Sequence, residues 1–210
     1  MLEVQRRNWV ARERSRILAE TYAHDVGLGI MAGTKVATAV GLRAVETLKA
    51  GDKVLTFENR MQPLEWVERR IVWCGRNAEE LAWPLHVPAG ALANRDEMFL
   101  MPAQAIVIDC ELAEQVFGTP YVRVPATALI GRFGITRQRP ETAIEVVRFG
   151  FAKGEVVFAN SGAMFHCGLR DDLGVDQQVQ EGNYTTLPHD AASHFLACLE
   201  QGHYLVRSGG

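Results

Sequence analysis

Hydrophobic positions along this chain fall into three regimes. Over residues 1–24 they recur at helical spacing: Trp9, Val10, Ile17, Leu18 and Tyr22 form one stripe, with Arg6, Arg7, Arg12, Arg14 and Arg16 around it. The spacing predicts a lead-in helix that stops at Gly27 and Gly29. From Thr34 to about Gly168 the pattern shortens to runs of Val, Ile, Thr and aromatic residues cut by turn residues. Strands are predicted over Lys35–Thr38, Lys53–Phe57, Leu64–Trp73, Phe99–Asp109, Tyr121–Pro125, Ala143–Phe149 and Glu155–Ala159. Reversals fall at Val40-Gly41-Leu42 and Glu58-Asn59-Arg60. Gly168–Thr186 is polar and reads as loop, and His189–Gln201 as a terminal helix.

This order predicts a mostly β fold, closed or sandwich-like, rather than an α/β sheet. The expected units are a helical lead-in over 1–26, a β domain over 27–168, and a loop with a short helix over 169–210. No internal repeat or low-complexity tract interrupts them.

Composition narrows the function classes. An apolar fraction of 48% over 210 residues supports one sizeable core. The net charge of −3 and pI near 6.1 give no basic footprint for nucleic acid. No apolar run approaches the ~18 residues of a membrane span, and Met-Leu-Glu-Val-Gln-Arg-Arg lacks the order of a secretory signal. Cys74, Cys110, Cys167 and Cys198 are spread without a CxxC pair, which reads as reduced, mostly buried thiols and a cytoplasmic location.

Several tempting motifs fail on context. Gly27-Leu28-Gly29-Ile30-Met31-Ala32 has the letters of a dinucleotide fingerprint, but a helix precedes it and a strand follows, the reverse of what a pyrophosphate needs. Asn160-Ser161-Gly162 lacks the frame of a nucleophile elbow. His189 and His194 are not at the one-face spacing of a zinc helix, and His166-Cys167 is a single adjacent pair. Asp171-Asp172 reads as a solvated turn. These give no metal and no cofactor site.

A run of short blocks is more informative. Gly33-Thr34-Lys35-Val36-Ala37-Thr38 is followed by Val45-Glu46-Thr47-Leu48-Lys49-Ala50-Gly51-Asp52-Lys53-Val54-Leu55-Thr56, whose Gly51-Asp52 turn feeds an apolar strand. Then come Gln62-Pro63-Leu64-Glu65-Trp66-Val67, the turn Ala89–Asn94, the strand Val124–Leu129 and the strand Glu155–Ala159. In this order the blocks resemble bacterial Hint domains of the hedgehog/intein type, with their VEDLxxGDxVLT, QPIRWI, AGALGNG, VPAKALV and EIVFAEG segments. Tyr184–Ala192 is similar to the short helix that follows in that family.

The resemblance implies a self-processing fold. Its members cleave the peptide bond before a Cys or Ser that attacks the preceding carbonyl, while histidines protonate the scissile amide and assist the acyl shift. Here the segment matching the family's nucleophile motif is Gly29-Ile30-Met31-Ala32-Gly33-Thr34, which puts Gly29 at the nucleophile position. Met101-Pro102-Ala103-Gln104 matches the SPQH segment, so Gln104 stands for the histidine, and Arg148 stands where a second histidine is common. No Cys precedes Cys74, and His86 is the only histidine between Asp25 and Phe165. Ser208-Gly209-Gly210 also lacks a His-Asn end.

By their own chemistry, Gly29 reads as a flexible helix-to-strand joint, Met101 as core filler, Gln104 as a satisfied interior amide and Arg148 as a surface or ion-pair residue. The expected function is therefore a degenerate, non-enzymatic Hint module without catalytic residues. It would bind an unknown protein partner through the helix over 1–24 or through the former substrate groove. The alternative is an autoprocessing domain that uses Thr34 or another unusual nucleophile and sheds about thirty residues from its N-terminus. A thiol enzyme using Cys74, Cys110 or Cys167 with His86 or His166 is a third reading, which no spacing supports.

Overall fold

The computed structural model describes residues 28–72, 80–168, 180–181 and 184–202. The helix expected over 1–24, Cys74, Asp171-Asp172 and most of the 169–183 loop lie outside the described residues.

The chain enters as β1 (Ile30–Met31) and makes a hairpin of β2 (Lys35–Thr38) and β3 (Gly41–Ala44). A second hairpin follows, β4 (Lys53–Thr56) with β5 (Arg60–Pro63), then the longer β6 (Trp66–Val72). Next come β7 (Leu85–Val87), β8 (Met98–Leu100) and β9 (Ala105–Asp109). Helix α1 (Glu111–Phe117) leads to β10 (Tyr121–Pro125), β11 (Thr136–Arg137) and β12 (Ile144–Gly150). The antiparallel pair β13 (Glu155–Ala159) and β14 (Ala163–Cys167) is followed by β15 (Gln180–Glu181), β16 (Tyr184–Thr186) and helix α2 (His189–Gln201).

The strands make two sheets. One has the order β11-β7-β8-β1-β12-β6; the other runs β15-β16-β10-β9-β14-β13-β2-β4-β5, with β3 on β2. Inward positions from both sheets, Val36, Val54, Ile106, Val124, Val147 and Phe165 among them, share one hydrophobic cluster that α2 joins through Leu196 and Leu199. Strands β12 and β13 are buried along most of their length, which explains their near-continuous apolar reading.

Four expectations are corrected. The single strand over Phe99–Asp109 is two, β8 and β9, in different sheets: Pro102 has no N–H to give a ladder, and Gln104 N closes a turn on Met101 O at 3.0 Å. The run Val124–Leu129 stays extended only to Pro125, after which Ala126–Leu129 is a 3-10 turn. Residues 184–186, expected as loop or helix, form β16 in parallel register with β10 (Tyr121↔Tyr184, Arg123↔Thr186). Their aromatic and β-branched side chains suit a buried strand, and the helix begins only after Pro188. The first reversal lies one residue early, so that Gly41 opens β3.

Helix α1 escaped the periodicity because it is only seven residues long and sits between two strong strands. Gly118 ends it in the left-handed region (φ 73°), its N–H returned to Glu114 O.

Candidate functional site

Strand β1 holds only two residues, yet it is clamped on both sides: Ile30 faces Val147 of β12 and Leu100 of β8. That clamp presses the preceding residue, Gly29, onto β12. Gly29 has φ +121°, and a Cβ built there would lie 2.5 Å from Val146 Cγ1, 3.0 Å from Arg148 Cγ and 3.1 Å from the Val147 carbonyl. The first of these is closer than real Cβ contacts allow, so the position suits glycine, and a side chain there would need Val146 or β12 to shift. The flexible joint expected from sequence is in fact a tight contact.

Beside Gly29 opens a cleft of about 100 Å³. Gln104, Trp66, Arg123, Arg148 and His166 contribute polar or aromatic groups to its wall. Gln104 is buried where the β8–β9 turn meets β9, and its amide Nε2 donates to Ala105 O (2.9 Å) and His166 O (3.0 Å). It is the satisfied interior amide expected of it, and it ties β9 to β14 from the side. Arg148, on β12, lies 5.7 Å from the Trp66 ring centroid, with Glu68 3.8 Å from its Nη1. Both contacts fit the expected ion-pair role, and the ring face adds a cation–π term.

Two residues that the sequence did not place here complete the wall. Arg123 of β10 donates from Nε to Thr186 Oγ1 at 2.8 Å, which depends on the parallel β10–β16 register. Its Nη1 reaches His166 Nε2 at 3.1 Å. An arginine donates only, so the imidazole accepts and is neutral there. Burial, with the adjacent guanidinium second, pushes the His166 ring down to about 4. Cys167 follows it with a thiol that burial pushes up to about 12.

These values limit the chemistry. A ring with a pKa near 4 is neutral at physiological pH, so it is a weak base and carries no imidazolium proton to transfer to an amide. A thiol near 12 is not a thiolate. The cleft can bind and orient a polar group through Arg123, Arg148 and the neutral ring. No lining side chain among the described residues joins a nucleophile to a base.

Thus Gly29, Gln104 and Arg148, far apart in sequence, meet at one cleft. Thr34 is buried at the start of the first hairpin and does not line it. His86 pairs with Glu97 at 3.2 Å, and His189 and His194 lie on α2, each near Asp190. No spacing in the sequence linked Arg123 to His166, because the contact depends on β9 lying between their strands in the sheet.

The family model described as the Hint domain matches residues 28–165. No curated protein matches. Among solved structures, a bacterial intein-like domain from Clostridium thermocellum is 18% identical with a TM-score of 0.47, covering 66% of this chain and 97% of that one. A splice-inactive variant of the AceL NrdHF class 3 split intein is 15% identical with a TM-score of 0.46, covering 67% and 97%. The gp41-1 intein is 10% identical with a TM-score of 0.42, covering 66% and 97%. With the family model spanning β1 to β14 in the order the sequence blocks run, the chain belongs to the Hint domain family.

Proposed function

We propose that this Hint domain does not process itself and serves as a structural, protein-binding module. The observation that carries the reading is Gly29: it stands where the family's resemblance puts the attacking side chain, and a Cβ there would crowd Val146 Cγ1 at 2.5 Å. Two further features support it. Gln104 commits its amide to the Ala105 and His166 carbonyls, and His166, the only imidazole lining the cleft among the described residues, is neutral well below physiological pH. An acyl shift needs a nucleophile and a proton source, and among the described lining residues there is neither an ionised nucleophile nor an imidazolium. What the cleft offers is a small polar recess walled by two guanidinium groups, suited to holding a single polar or anionic group of a partner rather than cutting a chain.

The test is the intact mass of the full-length protein, incubated with and without a strong thiol and hydroxylamine. A single species of unchanged 23.3 kDa mass supports the module. A shorter species beginning between Gly29 and Thr34 refutes it in favour of an unusual nucleophile.

A further inference from the structure

The outer face of the β3-β2-β4-β5 sheet has the polarity of a surface meant to be covered. Antiparallel sheets with one face on the core ordinarily put polar residues on the other. Here the order is partly inverted. On the core side, Thr38 and Thr56 alternate with Val36 and Val54, and all four are buried. The two threonine hydroxyls are satisfied inside the hairpins: Thr38 Oγ1 donates to Gly41 O at 2.6 Å and Thr56 Oγ1 to Arg60 O at 3.0 Å. The opposite face carries the pairs Ala37↔Leu42 and Leu55↔Met61. Residues opposed across a ladder share a face, so these four make one apolar strip across four strands. Leu42 is 55% and Met61 39% exposed, and Val40 at the hairpin tip is 79% exposed. The exposed Leu42 and Met61 flank the half-buried Ala37 and Leu55, and an apolar strip of this kind is a surface a partner can cover.

The charge on that face selects the occupant. Its outward strand positions include two charged residues, Lys35 and Lys53, both exposed and both cationic. We propose that the β3-β2-β4-β5 face docks a protein segment that presents apolar side chains flanked by carboxylates. A second copy would bring two more lysines onto the strip. The 1–24 segment brings five arginines against three glutamates, a net positive charge and the wrong sign. An anionic bilayer would meet a flat strip with only two lysines, where basic clusters of four to eight are the rule. The proposal goes beyond the module reading, since this face is separate from the Gly29 cleft and a cleaving protein could carry it equally.

The test uses two labelled synthetic helical peptides with the same leucine face, one bearing glutamates and the other lysines, and fluorescence anisotropy with the full-length protein. The glutamate peptide should bind and the lysine peptide should not. The double variant Leu42→Glu, Met61→Glu should weaken binding by about tenfold or more, as expected for loss of central apolar contacts. The double variant Lys35→Glu, Lys53→Glu should reverse the preference. Val116→Glu, at a 57% exposed apolar position on α1, should change neither.

The proposal is overturned if the glutamate peptide fails to bind, if both peptides bind alike, or if binding survives Leu42→Glu, Met61→Glu. It is equally overturned if Leu42-dependent binding goes to phosphatidylserine vesicles, to a second copy in sedimentation velocity, or to the chain's own 169–179 segment in cross-linking. None of these outcomes alters the intact-mass result, so the two readings fail separately.

Discussion

The guanidinium of Arg123 donates to the ring of His166, Nη1 to Nε2, at 3.1 Å. A permanent cation is thus held against a ring that can become one, and the contact keeps the histidine neutral.

That arrangement makes stability depend on acid. The ring titrates at about 4 in the folded chain against an ordinary 6.5, so between those values the unfolded chain binds more protons. The contribution of the neutral ring is fully present above pH 6.5 and is lost as pH falls toward 4. The gap is worth on the order of 3 kcal/mol. Urea unfolding at pH 7 and pH 4.5 should show the loss, and His166→Gln should flatten it. Arg123→Met should raise the ring's NMR titration midpoint. A midpoint near 6.5 in the unmodified protein would refute this account.

Restoring a nucleophile at residue 29 should not restore cleavage. In Gly29→Cys the new Cβ meets Val146 Cγ1, and the residue must also hold φ +121°. Overpacking and backbone strain together should cost about 2–5 kcal/mol. Adding Val146→Ala should recover part of that loss, while the intact mass stays unchanged in both variants. Self-cleavage by either variant would mean that the cleft retains a proton donor.

Two glycine substitutions should differ widely. Gly51 has φ +89° with open space around it, so Gly51→Ala should cost about 1–2 kcal/mol from backbone conformation alone. A Cβ at Gly162 would lie 1.8 Å from the Ala93 carbonyl oxygen, backbone against backbone. Gly162→Ala should therefore cost about 4 kcal/mol or more. The turn it disrupts is the one where Asn160 pairs with Lys35, accepting from its N–H at Oδ1 (2.9 Å) and donating to its carbonyl (2.8 Å). Equal thermal shifts for the two variants would show that this junction yields.

Alkylation should separate the cysteines. Cys198 is exposed on α2 and should react promptly with iodoacetamide near neutral pH. Cys110 and Cys167 are buried, and the Cys167 thiol is pushed up to about 12, so both should resist until the protein unfolds. Fast labelling at Cys167 would revive the thiol-enzyme reading.

Most of the β domain was legible because period-two alternation and turn residues act locally. Lys35–Thr38, Tyr121–Pro125 and Glu155–Ala159 appear where the sequence placed them. The break at Met101–Gln104 was less legible, since only Pro102 signals it and the flanking residues are apolar on both sides. Strand β16 was hidden because its pairing partner lies some sixty residues earlier, beyond any local pattern. Of the cleft, Gly29, Gln104 and Arg148 were found through the order of family blocks. Arg123 and His166 were not, since an interior charge looks the same in sequence as a solvated one. That Gly29 is sterically closed rather than flexible depends on how closely β12 packs against it, which no pattern along the chain records.

The position of β1 also bears on how the molecule assembles. Its two residues sit between β8 and β12, whose matching positions, Leu100 and Val147, come far later in the chain. During synthesis β1 can pair only with β8, through Leu100, and its other edge stays open until β12 has left the ribosome. The six-stranded sheet then closes in a late step dominated by distant pairings, the kind that folds slowly. Until that step, Ile30 and the apolar strands that will flank it stand open to chaperones and to neighbouring chains, and the nascent protein is most vulnerable just before its last strands arrive.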